Sequence, residues 1–349
     1  MKSGKNFVVV SNRLPIEVVR KKSSEFEIRP GSGGLASALS GVQETTPFRW
    51  MGSVPGIREK DQEKVSRSVS EAGDYHSLFL PDDIYRKYYD GFSNQCLWPL
   101  FHYMPGKFEF SSEHWAAYRE VNERFAAELA KTLETGARVW IHDYHLMLLP
   151  RMLRNLRPDL KIAFFLHIPF PSSEIFRLLP VRQEILEGLL GSDLVGFHTY
   201  DYSRHFVTSC RRILGADSHY DLVTSGDRTA RVGAYPIGIN PEQFLRSLKS
   251  EDYQNYVENL KSTYAGKKIL LGVDRLDYTK GIPEKLRALA RLLELHPELK
   301  DQLVFVQIGI PSRDRVEDYV KLKREVDRLV GEINGKFGSV AHQPIHYVT

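Results

Sequence analysis

The stretch that decides the fold is residues 138–167, RVWIHDYHLMLLPRMLRNLRPDLKIAFFLH. It begins with a short apolar run, 138–142, and ends with a second one, 161–167. Between them, 145–156 has the apolar pattern of an amphipathic helix. Two apolar strands joined by a helical crossover lie side by side and parallel. The stretch therefore predicts an α/β protein built on a parallel sheet.

The same alternation of strand and helix recurs along the chain. Continuous apolar strands alternating with helices are typical of a parallel sheet that helices cover on both faces. Ligands of such sheets bind beyond the carboxyl ends of the strands, so polar residues there are the candidates for a site. Further strands are predicted at 7–11, 76–80, 193–197, 269–273, 303–308 and 346–349, and further helices at 112–135, 181–190, 200–214, 283–295 and 315–332.

Length and a change of pattern predict two domains that face a cleft. The chain has 349 residues, and domains of roughly 100–200 residues are usual. Near 236–241 the first series ends, and a polar helix at 251–264 separates it from a new strand at Lys268. We predict an N-terminal domain at 1–240, a hinge or linker at 241–267 and a second domain at 268–349.

Composition indicates a cytoplasmic protein that acts on anionic small molecules. The 48 Lys and Arg exceed the 44 Asp and Glu by four, without the clustering that nucleic-acid binding usually needs. Cys96 and Cys210 form neither a disulfide framework nor a metal-binding pattern, which favours a reducing compartment. No apolar run approaches the length of about 18 residues that a membrane span needs, and 7–10 is too short for a signal-peptide core.

Polar residues follow several predicted strands. Arg13 comes after the first, where its guanidinium suits a phosphate, although a surface arginine closing a turn is also consistent. Asp143 follows the strand 138–142 and suits a substrate hydroxyl, whereas His167, in a loop stiffened by prolines, suits hydrogen bonding to a substrate or burial in the core. A metal site at His142, Asp143 and His145 is disfavoured because this spacing does not place all three on one side.

A glycine-rich segment and a group of aromatic residues each allow both a structural and a ligand-binding interpretation. Gly31, Gly33 and Ala36 satisfy the dinucleotide pattern G-x-G-x-x-A, but Arg29 and Pro30 precede them where an apolar strand is expected, which favours a simple glycine turn. The aromatic residues suit either the core or a sugar-stacking site. They are Tyr88, Tyr89, Trp98 and, in the same undecided group, Trp50.

The segment 269–281 contains two cations at the start of a predicted helix. Arg275 and Lys280 lie where the helix dipole is positive, an arrangement that is unfavourable by up to about 1 kcal/mol each without an anion. A diphosphate would relieve it, while a pair of solvated charges is the alternative. Arg313, after the strand 303–308, is a further candidate for binding phosphate.

Nine motifs occur in an order that resembles a known family. They are SNRLP, GSGGL, YYDGFSN with LWPLFHY, IHDYHLMLLP, FFLHIPFPSSEIFR, GSDLVGFHTYDYSRHF, YPIGI, GVDRLDYTKGI and QIGIPSR. Together they resemble the trehalose-6-phosphate synthases, retaining glycosyltransferases of the two-domain GT-B type that form glycosyltransferase family 20. The resemblance implies transfer of glucose from UDP-glucose to glucose 6-phosphate, giving α,α-trehalose 6-phosphate and UDP. Because two cations could replace the metal that many other glycosyltransferases use, we expect no metal or other cofactor.

The resemblance also assigns roles to residues. The catalytic set that it implies is Asp143, His167, Arg275 and Lys280. The acceptor residues would be Arg13 and Arg313 on the phosphate, Tyr89, Trp98 and Trp50 around the pocket, and Asp143 on the hydroxyls; the donor residues would be Gly33, Gly34, His167, Arg275 and Lys280. The family pattern continues with a segment that contacts the uridine, so the second domain is expected to be incomplete here.

Three alternatives to this function remain. A glucosylglycerol-phosphate synthase would share the donor residues and differ at the acceptor. A non-catalytic homologue would bind glucose 6-phosphate as a regulatory subunit. A nicotinamide-dependent oxidoreductase is a more distant alternative, because its fingerprint has the wrong context. The expected partners are small molecules, with a homo-oligomer or a trehalose-phosphatase as protein partner, and no nucleic acid or membrane.

Overall fold

A computed structural model describes residues 6–21, 25–31, 33–311 and 316–349. The contacts separate two compact units, Met1–Asn240 and Pro241–Thr349. Residues 241–267, expected as a hinge or linker, form two helices that group with the second unit. In the described part of the chain, no helix combines the length and apolar character needed to cross a bilayer.

The elements alternate along most of the chain. The strands are β1 (Phe7–Arg13), β2 (Ile16–Arg20), β3 (Phe26–Pro30), β4 (Arg49–Ser53), β5 (Tyr75–Leu78), β6 (Arg138–His142), β7 (Lys161–Phe165), β8 (Leu194–Phe197), β9 (Asp217–His219), β10 (Leu222–Ser225), β11 (Arg228–Ala234), β12 (Lys268–Arg275), β13 (Leu303–Ile310) and β14 (Ile345–Val348). The helices are α1 (Gly34–Thr45), α2 (Gln62–Ala72), α3 (Asp82–Arg86), α4 (Trp98–Phe101), α5 (Ser112–Thr132), α6 (Leu149–Leu156), α7 (Ser173–Phe176), α8 (Arg182–Leu189), α9 (Tyr200–Ser209), α10 (Pro241–Leu248), α11 (Glu251–Thr263), α12 (Ile282–Leu295) and α13 (Glu317–Phe337).

The first unit is built on a nine-stranded sheet in the order β5-β4-β1-β6-β7-β8-β11-β10-β9. From β5 to β11 all neighbours are parallel, and β10 and β9 extend the edge antiparallel. This confirms the predicted parallel sheet. Because β1, β6 and β7 are adjacent and parallel, their carboxyl ends lie together at one edge of the sheet.

The second unit has a parallel sheet in the order β12-β13-β14. Its core joins α12 and α13 to the strands, with Leu286, Val326 and Phe305 among the buried side chains. The amphipathic spacing of both helices explains this packing, because residues three and four apart lie on one face.

Several boundaries differ from the predictions for local reasons. The helix expected at 145–156 starts at Leu149, because Tyr144–Leu146 forms a separate 3₁₀ turn. The helix expected at 200–214 becomes a wider π-type turn from Cys210. The prediction missed β4, which contains Gly52, the antiparallel hairpin of β2 and β3, and the short strands β9 to β11.

Candidate active site

Arg13 lies at the carboxyl end of β1, where a bulge redirects the strand. Val10 pairs with Met51 and Arg13 with Ser53, so β1 contains one residue more than β4 between these pairs. A Cβ on Gly52 would lie 2.6 Å from the carbonyl carbon of Arg13, so only glycine permits this approach. A bulge bends its strand and re-aims a side chain, and here it positions an exposed arginine at the edge of the sheet.

The Arg13 guanidinium is held on one side and open on the other. Its Nε donates to the Tyr85 hydroxyl at 2.6 Å, and its central carbon lies 4.7 Å from the centroid of the Tyr89 ring. Burial acts to lower the pKa of Arg13, but Tyr85, Tyr89 and Asp90 raise it above its ordinary value, so the group stays cationic. Among the described residues its two terminal nitrogens have no hydrogen-bond acceptor, which leaves a fork that matches a phosphate.

An aromatic row connects Arg13 to the loop after β6. Tyr85 stacks on Tyr89 at 5.5 Å between centroids, and Tyr89 stacks on His145 at 5.6 Å. The buried hydroxyl of Tyr88, in the same π-type segment as Tyr89, donates to Asn12 on β1. The row therefore fixes Tyr89, a predicted acceptor residue, beside Arg13.

The two predicted tryptophans are mostly enclosed by protein. Trp98 is 5% exposed and packs against His102 and Tyr144. Trp50 is 2% exposed and donates its indole N–H to the Ser11 hydroxyl at 2.8 Å. That hydroxyl in turn donates to the Arg13 carbonyl. Trp50 thus supports the strand that carries Arg13, and its one polar atom is already used within the protein.

Asp143 connects the ends of β6 and β7 in a strained conformation. Its φ is +74° and its ψ 166°, a region that residues other than glycine rarely adopt. The carboxylate oxygen Oδ1 accepts the backbone N–H groups of Tyr144 at 3.0 Å and His167 at 3.2 Å. Its own N–H donates to the Phe165 carbonyl. Backbone strain of this kind clusters at functional sites, which supports Asp143 as a site residue.

His167 is half-buried and bonded to a second histidine. Its Nε2 lies 2.9 Å from Nδ1 of His142, and His198 packs edge-on to its ring. Burial, with a smaller effect of His198, lowers the pKa of His167 to about 4. The ring is therefore neutral at physiological pH, so that it acts as a hydrogen-bonding group rather than as a cation.

A cavity of about 390 Å³ in the first unit connects two of the predicted donor elements. It is lined by Leu35, in the first turn of α1, and by both His142 and His167. Gly33 and Gly34 lie at the start of the same helix, and a Cβ on either would meet no atom within 4 Å. The backbone there is open to a ligand. The strand before this turn, β3, belongs to an antiparallel hairpin, so the parallel strand–turn–helix context of a dinucleotide fingerprint is absent.

In the second unit, Arg275 ends β12 and Lys280 lies in the 3₁₀ turn that follows. Asp277 organises this turn. Its carboxylate is 0% exposed and accepts the N–H and hydroxyl of Thr279 and the hydroxyl of Tyr319. The backbone carbonyl of Asp277 accepts the N–H of Lys280. Both cations are exposed, close to the amino end of α12, where an anion is favoured.

Two predictions, the phosphate-binding role of Arg313 and the metal site, are not part of the arrangement described above. Arg313 falls outside the described residues. In the metal alternative, His142 already bonds His167 and His145 stacks on Tyr89, while Asp143 holds backbone N–H groups. No cluster of three His, Cys, Asp or Glu side chains suited to a metal occurs within 6–21, 25–31, 33–311 and 316–349.

Sequence reasoning missed the residues that hold the predicted ones. Tyr85 precedes Tyr89 by four residues, so the helical spacing could have indicated that both face Arg13. Asp277 stands between Arg275 and Lys280 in the sequence, and no local pattern indicates that its carboxylate is buried and organises the turn. The sequence pattern around His142 indicates only a disfavoured metal site and not its bond to His167.

Comparison with known proteins gives consistent matches. The model of glycosyltransferase family 20 matches residues 5–349. The UDP-forming alpha,alpha-trehalose-phosphate synthase A of Dictyostelium discoideum is 47% identical over 342 residues, which are 98% of this chain and 46% of that protein. The chain thus spans about half the length of this relative.

Two solved structures are similar over nearly the whole chain. One is described as trehalose-6-phosphate from E. coli bound with UDP-2-fluoro glucose, with 31% identity, a TM-score of 0.86, and coverage of 98% of this chain and 73% of that one. The other is a UDP-forming alpha,alpha-trehalose-phosphate synthase of Burkholderia xenovorans in complex with glucose-6-phosphate. It is 30% identical, with a TM-score of 0.84 and coverage of 98% and 74%.

Proposed function

The chain belongs to glycosyltransferase family 20, and from this premise we propose that it transfers glucose from UDP-glucose to glucose 6-phosphate. The anomeric configuration is retained, and the products are α,α-trehalose 6-phosphate and UDP. Family membership confirms the resemblance found from the motifs, and the solved relatives confirm the α/β GT-B fold class.

The observation that carries the proposal is the open fork of Arg13 beside Tyr89, with the strained Asp143 following the neighbouring strand β6. A guanidinium with free terminal nitrogens suits the phosphate of an acceptor sugar, and an aromatic face suits its ring. The carboxylate of Asp143, in the loop that follows β6, suits the sugar hydroxyls. The Burkholderia relative in complex with glucose-6-phosphate supports this choice of acceptor.

On the donor side, Arg275 and Lys280 bind the diphosphate in this proposal. As the bond to the sugar breaks, negative charge grows on the departing phosphate while the sugar becomes oxocarbenium-like. Fixed cations that stabilise growing charge typically make the largest contribution to catalysis. Because Arg275 and Lys280 are both cationic and both lie near the amino end of α12, we propose a reaction without a metal. His167 and the backbone at Gly33 and Gly34 contact the donor sugar, and the E. coli relative bound with UDP-2-fluoro glucose supports this donor.

The experiment is a measurement of UDP release from UDP-glucose by the intact chain, with and without glucose 6-phosphate. Acceptor-dependent release, with an α,α-linked product identified by NMR, supports the proposal. Glycerol 3-phosphate in place of glucose 6-phosphate tests the glucosylglycerol-phosphate alternative. Tight binding of glucose 6-phosphate without any turnover would contradict the proposed enzymatic function and favour a regulatory homologue.

Location and partners extend the proposal. We place the protein in the cytoplasm, because Cys96 and Cys210 are buried free thiols and both proposed substrates are phosphorylated metabolites. A second copy of the chain or a trehalose-phosphatase is the proposed protein partner. Size-exclusion chromatography with light scattering, alone and with a phosphatase, tests this.

A further inference from the structure

Two histidines at the ends of neighbouring strands are bonded ring to ring. His142 is the last residue of β6, and His167 lies two residues beyond the end of β7. Nδ1 of His142 and Nε2 of His167 are 2.9 Å apart. His142 is 1% exposed, with Trp140 and Phe165 against its ring, so it has little freedom to move away.

Both rings are neutral, which makes the position of each hydrogen decisive. Burial lowers the pKa of His142 well below its ordinary value and that of His167 to about 4. In a neutral imidazole one nitrogen donates and the other accepts. The short contact therefore needs the hydrogen on one of the two facing nitrogens, and that choice fixes the remaining nitrogen of each ring.

The buried environment of His142 decides between the two arrangements. Its Nε2 is shielded from solvent and has no hydrogen-bond partner in the described part of the chain. Orphaned buried N–H groups are rarer than under-satisfied acceptors, so Nε2 is the bare nitrogen. The hydrogen then lies on Nδ1 of His142 and is donated to Nε2 of His167. Because Nε2 of His167 accepts this hydrogen bond and a neutral imidazole carries only one N–H, the hydrogen of His167 lies on its own Nδ1.

We propose that His142 is a positioning residue that holds His167 in the Nδ1–H tautomer, so that His167 donates a hydrogen bond to a hydroxyl of the donor sugar. The function of that hydrogen bond rests on the proposed glucosyl transfer. The tautomer of His167 follows from its contact with His142 and does not depend on that proposal. His167 Nδ1 has no partner among the described residues, which leaves this N–H available to a ligand. His198 and Phe165 pack on the ring and restrict its rotation.

The tautomer is tested directly by long-range ¹H–¹⁵N correlation on the intact chain labelled with ¹⁵N-histidine, without substrate. We expect Nδ1–H for both His142 and His167, assigned by the loss of signals in His142→Phe and His167→Gln. An Nε2–H signal from His167 in the unaltered chain would overturn the proposal. This measurement does not depend on turnover, so a chain without synthase activity refutes the proposed function and leaves the tautomer result intact.

Kinetics test the consequence for the substrate. His142→Phe keeps a planar ring but removes the donated hydrogen, and we expect the KM for UDP-glucose to rise about tenfold, as for the loss of one oriented hydrogen bond. The KM for glucose 6-phosphate should not change. His142→Asn restores an N–H near the Nδ1 position and should recover most of the loss.

A matched control removes a similar bond elsewhere. His76 lies on β5, the first strand in the order of the nine-stranded sheet, where it is half-buried and bonds Glu128 at 2.9 Å. His76→Phe should leave both KM values unchanged. Equal KM shifts for both substrates in His142→Phe, or the same shifts in His76→Phe, would show a structural effect and contradict a positioning role.

Discussion

Replacing Asp143 by alanine and by glycine separates the two roles of this residue. Its carboxylate accepts two backbone N–H groups, from Tyr144 and His167, and its backbone has a φ of +74°. Both substitutions remove the carboxylate. Only glycine also removes the Cβ that makes this conformation unfavourable. The difference between the two variants therefore measures the backbone strain.

The magnitude follows from three contributions. Loss of the two hydrogen bonds to a charged group destabilises both variants by about 2–4 kcal/mol, discounted because the group is half-buried. Alanine keeps the strain of about 1–3 kcal/mol. Glycine relieves it but adds roughly 0.5–1 kcal/mol of backbone entropy to the unfolded chain. We therefore expect Asp143→Gly to be more stable than Asp143→Ala by about 1 kcal/mol.

The assay is urea unfolding of the intact chain followed by tryptophan fluorescence. Asp159 provides the control, since it also accepts a backbone N–H, from Gly136, and its φ is not positive. At that position alanine should be the more stable variant, as is usual. An Asp143→Ala variant at least as stable as Asp143→Gly would refute the argument from strain.

Further outcomes follow from the other site residues. Lys280→Ala should lower kcat by about 100-fold or more with little change in glucose 6-phosphate affinity by calorimetry; an unchanged kcat removes Lys280 from the mechanism. Arg13→Lys keeps the charge but loses the fork and should raise the KM for glucose 6-phosphate about tenfold; Arg49→Lys, on the salt bridge to Asp74, is the control. The lowered pKa of His167 means that the unfolded chain binds more protons below about pH 6.5, so stability should fall as the pH falls from 6.5 towards 4. His167→Gln should flatten this slope in urea midpoints measured at pH 7 and 5, and an unaltered slope would contradict the burial of a neutral ring.

The sequence predicted the elements whose pattern is local. The strands at 138–142 and 161–167 appear as β6 and β7 because apolar runs and helical spacing are visible in one segment. β4 was missed since Gly52 interrupts its apolar pattern, and that glycine is explained only by its approach to Arg13 across the sheet. Its role is a property of two segments far apart in the chain.

The site also combines properties visible in one segment with properties that depend on distant segments. Arg13, Asp143 and His167 are predicted site residues because their side chains have recognisable chemistry at strand ends. The strain at Asp143 could not be predicted, because its φ depends on bonds to Phe165 and His167, more than twenty residues away. The partner of His167 was equally hidden, since nothing in the spacing of His142 indicates a ring-to-ring bond between neighbouring strands.

Tyr85 and Tyr89 determine which atoms of Arg13 can bind a ligand. Arg13 uses its Nε–H on Tyr85 and rests its flat face against Tyr89, so only its terminal nitrogens point to a ligand. Burial raises the pKa of Tyr85 to about 12, so the phenol stays neutral and keeps its own hydrogen to donate while it accepts from Arg13. A chain with the same arginine but phenylalanine at position 85 would retain the cation and lose its orientation. Binding of a phosphate would then weaken without any change in the residue that contacts it, because the fork is useful only when it is held in one direction.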